Sequence, residues 1–160
     1  MTQTHPETRI GHVHLRVADL DRAIMFYRDV MGFDVMQQYG AQAAFLSAGG
    51  YHHHIGLNTW DSRGGQAPAP GTTGLYHVAF VYPDRRALAQ ILQNVLDAGV
   101  PLRGAADHGV SQAVYFNDPD GNGIEIYWDR AQTEWPRDAS GQLKMVNTPL
   151  DLDALLAEAA

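Results

Sequence analysis

Residues Ile10 to Val17 alternate. His12, His14 and Arg16 share one face, and Val13, Leu15 and Val17 share the other, which predicts a strand with one polar and one apolar side. Asp19 is placed to cap a helix over Leu20–Met31, whose Ala23, Phe26, Tyr27, Val30 and Met31 follow a helical stripe, and Gly32 ends it. Three short strands are predicted next, at Phe33–Gln38, Ala43–Ser47 and His53–Thr59. Asp61–Gly74 holds four glycines and two prolines and reads as a linker. The pattern then restarts. Leu75–Tyr82 alternates, Pro83-Asp84 opens a helix with Leu88, Ile91, Leu92, Val95 and Leu96 on one stripe, and Gly99 closes it. Further strands are expected near Pro101–Gly104, Gln112–Asn117 and Gly123–Trp128.

The order is therefore βαβββ, linker, βαβββ, with a faint internal echo: His12-Val13 against His77-Val78, and Ile55-Gly56-Leu57 against Ile124-Glu125-Ile126. This predicts an α+β fold of two βαβββ modules, about 9–60 and 75–130, whose sheets form an open half-barrel around a cleft. Linker 61–74 joins them, and an extension, 131–160, follows. Within it, 131–149 has little periodicity and Asp151–Glu158 suits a last short helix.

Composition narrows the chemistry. The chain has 160 residues, a formal charge of −7 and no cysteine. An acidic protein without a basic block offers little to phosphate backbones, so no nucleic-acid partner is expected. No apolar run suits a bilayer span and the first residues lack a signal-peptide core, so no membrane partner and a cytoplasmic protein are expected. Lack of cysteine removes thiolate nucleophiles, thiolate zinc and iron–sulfur clusters. Histidines, carboxylates and a metal remain, and seven of the eight histidines lie between His12 and His108.

His12 and His77 occupy matched positions of the two modules, on the sheet faces that the helices do not need. Glu125 alternates with Ile124 and Ile126 and so points to the same side as the cleft, beyond the turn Asp118-Pro119-Asp120-Gly121-Asn122. Two imidazoles and one carboxylate form the ligand set of non-heme Fe(II) sites with vacant positions.

The duplication, Gly11-His12-Val13, Tyr76-His77-Val78 and the Asp-Pro-Asp-Gly-Asn-x-x-Glu run of 118–125 together resemble the vicinal oxygen chelate superfamily. That superfamily includes glyoxalase I, fosfomycin-resistance enzymes, bleomycin-binding proteins, methylmalonyl-CoA epimerase and extradiol ring-cleaving dioxygenases. The resemblance spans about residues 9–130 and implies metal ligands His12, His77 and Glu125. Four-ligand members carry a glutamate where this chain has Gly56, so the resemblance points to three ligands, as in the dioxygenase branch. It also places an acid–base histidine at His53, with His54 the alternative because strict alternation puts His53 on the other face. His108 and Tyr115, the latter ten residues before Glu125, match residues that orient substrate oxygens.

The implied activity is an Fe(II)-dependent, or Mn(II)-dependent, extradiol dioxygenase acting on a catechol and O2 in aromatic catabolism, as a homodimer. Neutral imidazoles with one carboxylate leave a net positive site that suits a catecholate. The chain has one pair of modules where catechol extradiol enzymes usually have two. The alternatives are a glyoxalase-like isomerase or epimerase with another divalent metal, and a metal-free binding protein whose cleft uses Tyr51, Trp60 and Tyr76.

Overall fold

A computed structural model describes residues 2–160. They form two compact units that divide between Gln66 and Ala67.

Unit one contains β1 (Val13–Arg16), α1 (Leu20–Met25), β2 (Asp34–Tyr39), β3 (Ala43–Ser47) and β4 (Ile55–Asn58). Its sheet runs β1-β4-β3-β2. The helix between β1 and β2 carries the chain across, so β1 lies parallel to β4 while the other neighbours are antiparallel. Asp19 caps α1 by accepting the Arg22 N–H at 3.0 Å. The predicted helix does not stay α-helical to Met31: Phe26–Val30 is a π-helical turn. The wider turn brings the successive side chains of Phe26 and Tyr27 into one core, where their rings meet edge-on at 5.2 Å.

Unit two repeats the path with β5 (Val78–Tyr82), α2 (Arg85–Asp97), β6 (Leu102–Asp107), β7 (Ser111–Asn117) and β8 (Gly123–Asp129), then adds β9 (Thr148–Pro149) and α3 (Leu152–Leu156). Its order is β5-β8-β7-β6-β9, again with the first and last module strands parallel. Both sheets have free edges, and the chain is an α+β protein of two βαβββ modules. Among the described residues no helix is long and apolar enough to cross a membrane.

Each module buries one face of its sheet. Leu15, Leu46, Ile55 and Leu57 are buried in unit one. Leu88, Leu92 and Val95 of α2 are buried in unit two, as are Val114, Phe116, Ile124 and Ile126 of its sheet. Each such side chain contributes roughly 1.5–3 kcal/mol by leaving water, so this side holds the module together. The opposite sides are left for chemistry: Ala79 and Val81 are exposed, and Glu125 is only half-buried. Leu155 of α3 is buried, and Arg85 at the start of α2 pairs with Glu158 at 3.2 Å.

β1 and β5 both begin later than the alternation predicts, at Val13 and Val78. The parallel ladders start at Val13–Ile55 and Val78–Ile124. β4 itself begins at Ile55 and β8 at Gly123, so each ladder starts within one residue of the start of its partner strand. His12 and His77 thus stand one residue ahead of their strands, at matched places.

Candidate active site

In unit two the strand register assembles the site. Tyr115 on β7 lies directly opposite Glu125 on β8. The Tyr115 hydroxyl stands 3.2 Å from Glu125 Oε1, and His77 Nε2 lies 2.9 Å from Glu125 Oε2. Gly123 lets the strands close here, because a Cβ at that position would collide with the Tyr76 carbonyl and crowd His77. The His108 Nε2 then reaches Tyr115 Oη at 2.7 Å. His77, Glu125, Tyr115 and His108 form one connected polar row.

His108 sits in the turn between β6 and β7, and residues 131–149 hold it there. Its Nδ1 lies 3.0 Å from the Val146 carbonyl, and its own carbonyl accepts the Val146 N–H at 3.0 Å. A carbonyl only accepts, so Nδ1 carries hydrogen. A neutral His108 ring therefore accepts the Tyr115 hydroxyl at Nε2. The Tyr115 hydroxyl has one hydrogen, so it serves His108 Nε2 or Glu125 Oε1 but not both at once. Burial, followed by the Glu125 charge, pushes the Tyr115 phenol up to about 12, so Tyr115 serves as a donor at neutral pH.

The turn is buttressed from behind. Asp107 accepts two hydrogen bonds from Arg130, at 2.8 and 2.6 Å, plus one each from Gly109 N–H and Gln112. The Arg130 guanidinium foremost, with the Gln112 and Gly109 donors, holds the Asp107 carboxyl well below the usual carboxylate range. Trp135 Nε1 donates to the Arg130 carbonyl at 2.9 Å, tying the extension to the same point.

In unit one, His12 stands beside His53, ring centroids 4.4 Å apart. His53 precedes β4, which begins at Ile55, so the strict alternation does not govern it. Its ring also packs on Phe45 at 5.1 Å, and its Nδ1 lies 2.8 Å from that of His52. Desolvation, then the neighbouring His12, His52, His14 and His54, lowers its pKa and favours the neutral ring. His54 is differently committed: its Nδ1 accepts the Ala48 N–H at 3.3 Å and lies 3.0 Å from Ser47 Oγ. Gly56 is covered by the His14 ring, which a Cβ there would approach to 2.8 Å. His14 Nε2 in turn meets Asn58 Nδ2 at 3.0 Å. Trp60 leans on the same ring at 5.7 Å, and Tyr51 on His52 at 4.0 Å. Within neither unit do three His, Asp or Glu side chains of the described residues gather as a metal-holding group.

The Val146 carbonyl and the Asp107–Arg130 buttress are absent from the sequence expectations. A backbone carbonyl has no sequence signal. Asp107 and Arg130 face each other only once the sheet is ordered.

A family model described as the Glyoxalase/Bleomycin resistance protein/Dioxygenase superfamily matches residues 9–126. The chain is 40% identical over 159 residues to a catechol-2,3-dioxygenase of Bacillus subtilis, covering 99% of this chain and 55% of that protein. It is 33% identical over 127 residues to biphenyl-2,3-diol 1,2-dioxygenase 3 of Rhodococcus globerulus, covering 78% of this chain and 65% of that one. The chain thus spans between half and two thirds of the length of these relatives. Its fold matches the crystal structure of a glyoxalase/dioxygenase from Nostoc punctiforme with a TM-score of 0.66 at 20% identity, over 82% of this chain and 99% of the other.

Proposed function

The chain belongs to the Glyoxalase/Bleomycin resistance protein/Dioxygenase superfamily, and from that premise we propose that it is an extradiol dioxygenase opening a catechol-type ring with O2. The observation that carries this reading is the connected row His77–Glu125–Tyr115–His108. It sets two candidate metal ligands against two groups suited to hold substrate oxygens. The relatives named for catechol and biphenyl-diol cleavage support the same reaction class.

His12, His77 and Glu125 are proposed to hold a divalent metal, Fe(II) or, in its place, Mn(II). The donor chemistry fits: His77 Nε2 and Glu125 Oε2 already aim at each other, and imidazole with carboxylate suits either ion. When bound, the metal supplies the Lewis-acid and redox capacity that brings a catecholate and O2 together. The chain's own residues do the rest. His53, kept neutral, takes the proton of the substrate's second hydroxyl and later returns one. Tyr115 remains protonated and donates to a substrate oxygen. His108, its ring set by Val146, holds Tyr115 and the second oxygen in place. Gly56 offers no fourth ligand.

The test is anaerobic loading of the full chain with Fe(II), metal analysis, and oxygen uptake with a panel of catechols. Bound iron with oxygen consumed and a muconic semialdehyde-type product formed is the expected result. A metal-loaded sample that consumes no oxygen with any catechol overturns the reading.

A further inference from the structure

Strand β6 carries one residue more than its partner. Leu102 pairs with Phe116 and Gly104 pairs with Tyr115, which leaves Arg103 as the extra residue of a β-bulge. Bulges re-aim side chains, and this one turns Arg103 toward the functional face. Arg103 lines a cavity of about 370 Å³ shared with His77, His108 and Tyr115. Asn117, two residues along β7 from Tyr115, and Asn147, from the C-terminal extension, line it too.

The arginine is poorly occupied. Its Nη1 donates to Asn117 Oδ1 at 3.3 Å. No carboxylate among the described residues pairs with it, whereas Arg28, Arg85 and Arg130 each have one. Most of its five N–H donors are left for a ligand. The guanidinium fork matches a carboxylate in two parallel hydrogen bonds, and Lys does not reproduce that geometry. The fold does not demand a charge here. Unit one has the same bulge in β2, between Val35 and Gln37, and its extra residue is Met36.

We infer that this cavity takes a catechol carrying a carboxylate, on the ring or a short side chain, and that Arg103 reads it with Asn117 and Asn147 beside it. The inference rests on the dioxygenase reading and adds the substrate class. Arg103 is exposed where it lines the cavity, so a neutral ring leaves the guanidinium to water and only forgoes the charge-assisted contact that a carboxylate gains.

The test compares a catechol bearing an acetate side chain with its methyl ester, a neutral ligand of nearly the same shape. Iron-loaded wild type, Arg103→Met and Arg103→Lys are assayed for kcat and KM, and anaerobic dissociation constants are measured by fluorescence quenching. Wild type is expected to favour the acid by at least about tenfold, the size of one charge-assisted contact. Arg103→Met is expected to lose roughly 10- to 100-fold in kcat/KM on the acid, mainly through KM, with the ester changed less than about threefold. Arg103→Lys should keep part of the preference. Equal treatment of acid and ester by wild type, or equal losses on both in Arg103→Met, overturns the inference. A binding preference for the acid without oxygen consumption supports this site while removing the dioxygenase reading.

Discussion

In unit one, the residue of β4 that pairs with His14 of β1 is Gly56; in unit two, the residue of β8 that pairs with Ala79 of β5 is Glu125. A large residue faces a small one in both ladders, but the large one has changed strands. The next strand follows suit. Phe45 sits opposite Gly56, and Tyr115 sits opposite Glu125. At the shared bulge, Met36 corresponds to Arg103. One register thus carries an aromatic, mostly uncharged set in unit one and an acid, a phenol and a guanidinium in unit two. The helix-covered faces stay apolar in both. The lesson is that the buried side of the sheet sets the register, and the register then presents the same places to whatever residues the other side carries.

The sharpest break of this contrast is Glu125→Ala, which makes unit two resemble unit one at the pivotal place. Metal binding and oxygen uptake should fall together, activity by more than about a thousandfold, as expected when a group required for the chemistry is lost. A folded Glu125→Ala variant that retains iron unchanged removes Glu125 from the ligand set. Moving the acid the other way is the next largest effect. Gly56→Glu drives a side chain into the His14 ring and should cost about 2–3 kcal/mol in denaturant unfolding. Adding His14→Ala, which copies the Ala79–Glu125 pattern, should recover most of that loss. If the double variant is no more stable than Gly56→Glu alone, the His14 ring is not the obstacle.

The Asp107 buttress belongs to unit two and gives it a pH signature. Its folded carboxyl titrates lower than its unfolded one. The stability it contributes is therefore complete above the usual carboxylate pKa and lost as pH falls through the folded value. Asp107→Asn should lower stability at neutral pH by about 2 kcal/mol, the size of hydrogen bonds to a charged group. It should also flatten the acid side of the stability curve between about pH 5 and 2. An unchanged acid slope in the variant would reassign that slope to other carboxylates. The smallest change is Tyr115→Phe, which copies Phe45. Thermal unfolding should barely move, while kcat falls roughly 10- to 100-fold with the loss of one positioned donor. A full-rate Tyr115→Phe enzyme removes the phenol from the reaction.

Much of the molecule was readable along the chain. Strand β3 at Ala43–Ser47 lies where the pattern predicts it, the cap at Asp19 forms, and α2 buries Leu88, Leu92 and Val95 of its predicted stripe. These depend on periodicity and near neighbours, which the sequence states directly. The starts of β1 and β5 did not follow alternation, because a strand needs a partner and the partner's turn is remote in sequence. The π-helical turn after Met25 was equally hidden, since its geometry answers to burial of Phe26 and Tyr27.

The sequence by itself determined the duplicated βαβββ order and nominated the chemical residues, because alternation and helical stripes are local properties of the chain. Only the tertiary structure decided how those residues are used. Tyr115 meets Glu125 because β7 and β8 lie in one register, His108 takes its tautomer from the carbonyl of Val146, thirty-eight residues away, and Arg103 borders the cavity where β6 holds one residue more than β7. Each is a hydrogen-bond pairing between distant segments, and a pairing of that kind exists only when the sheet does.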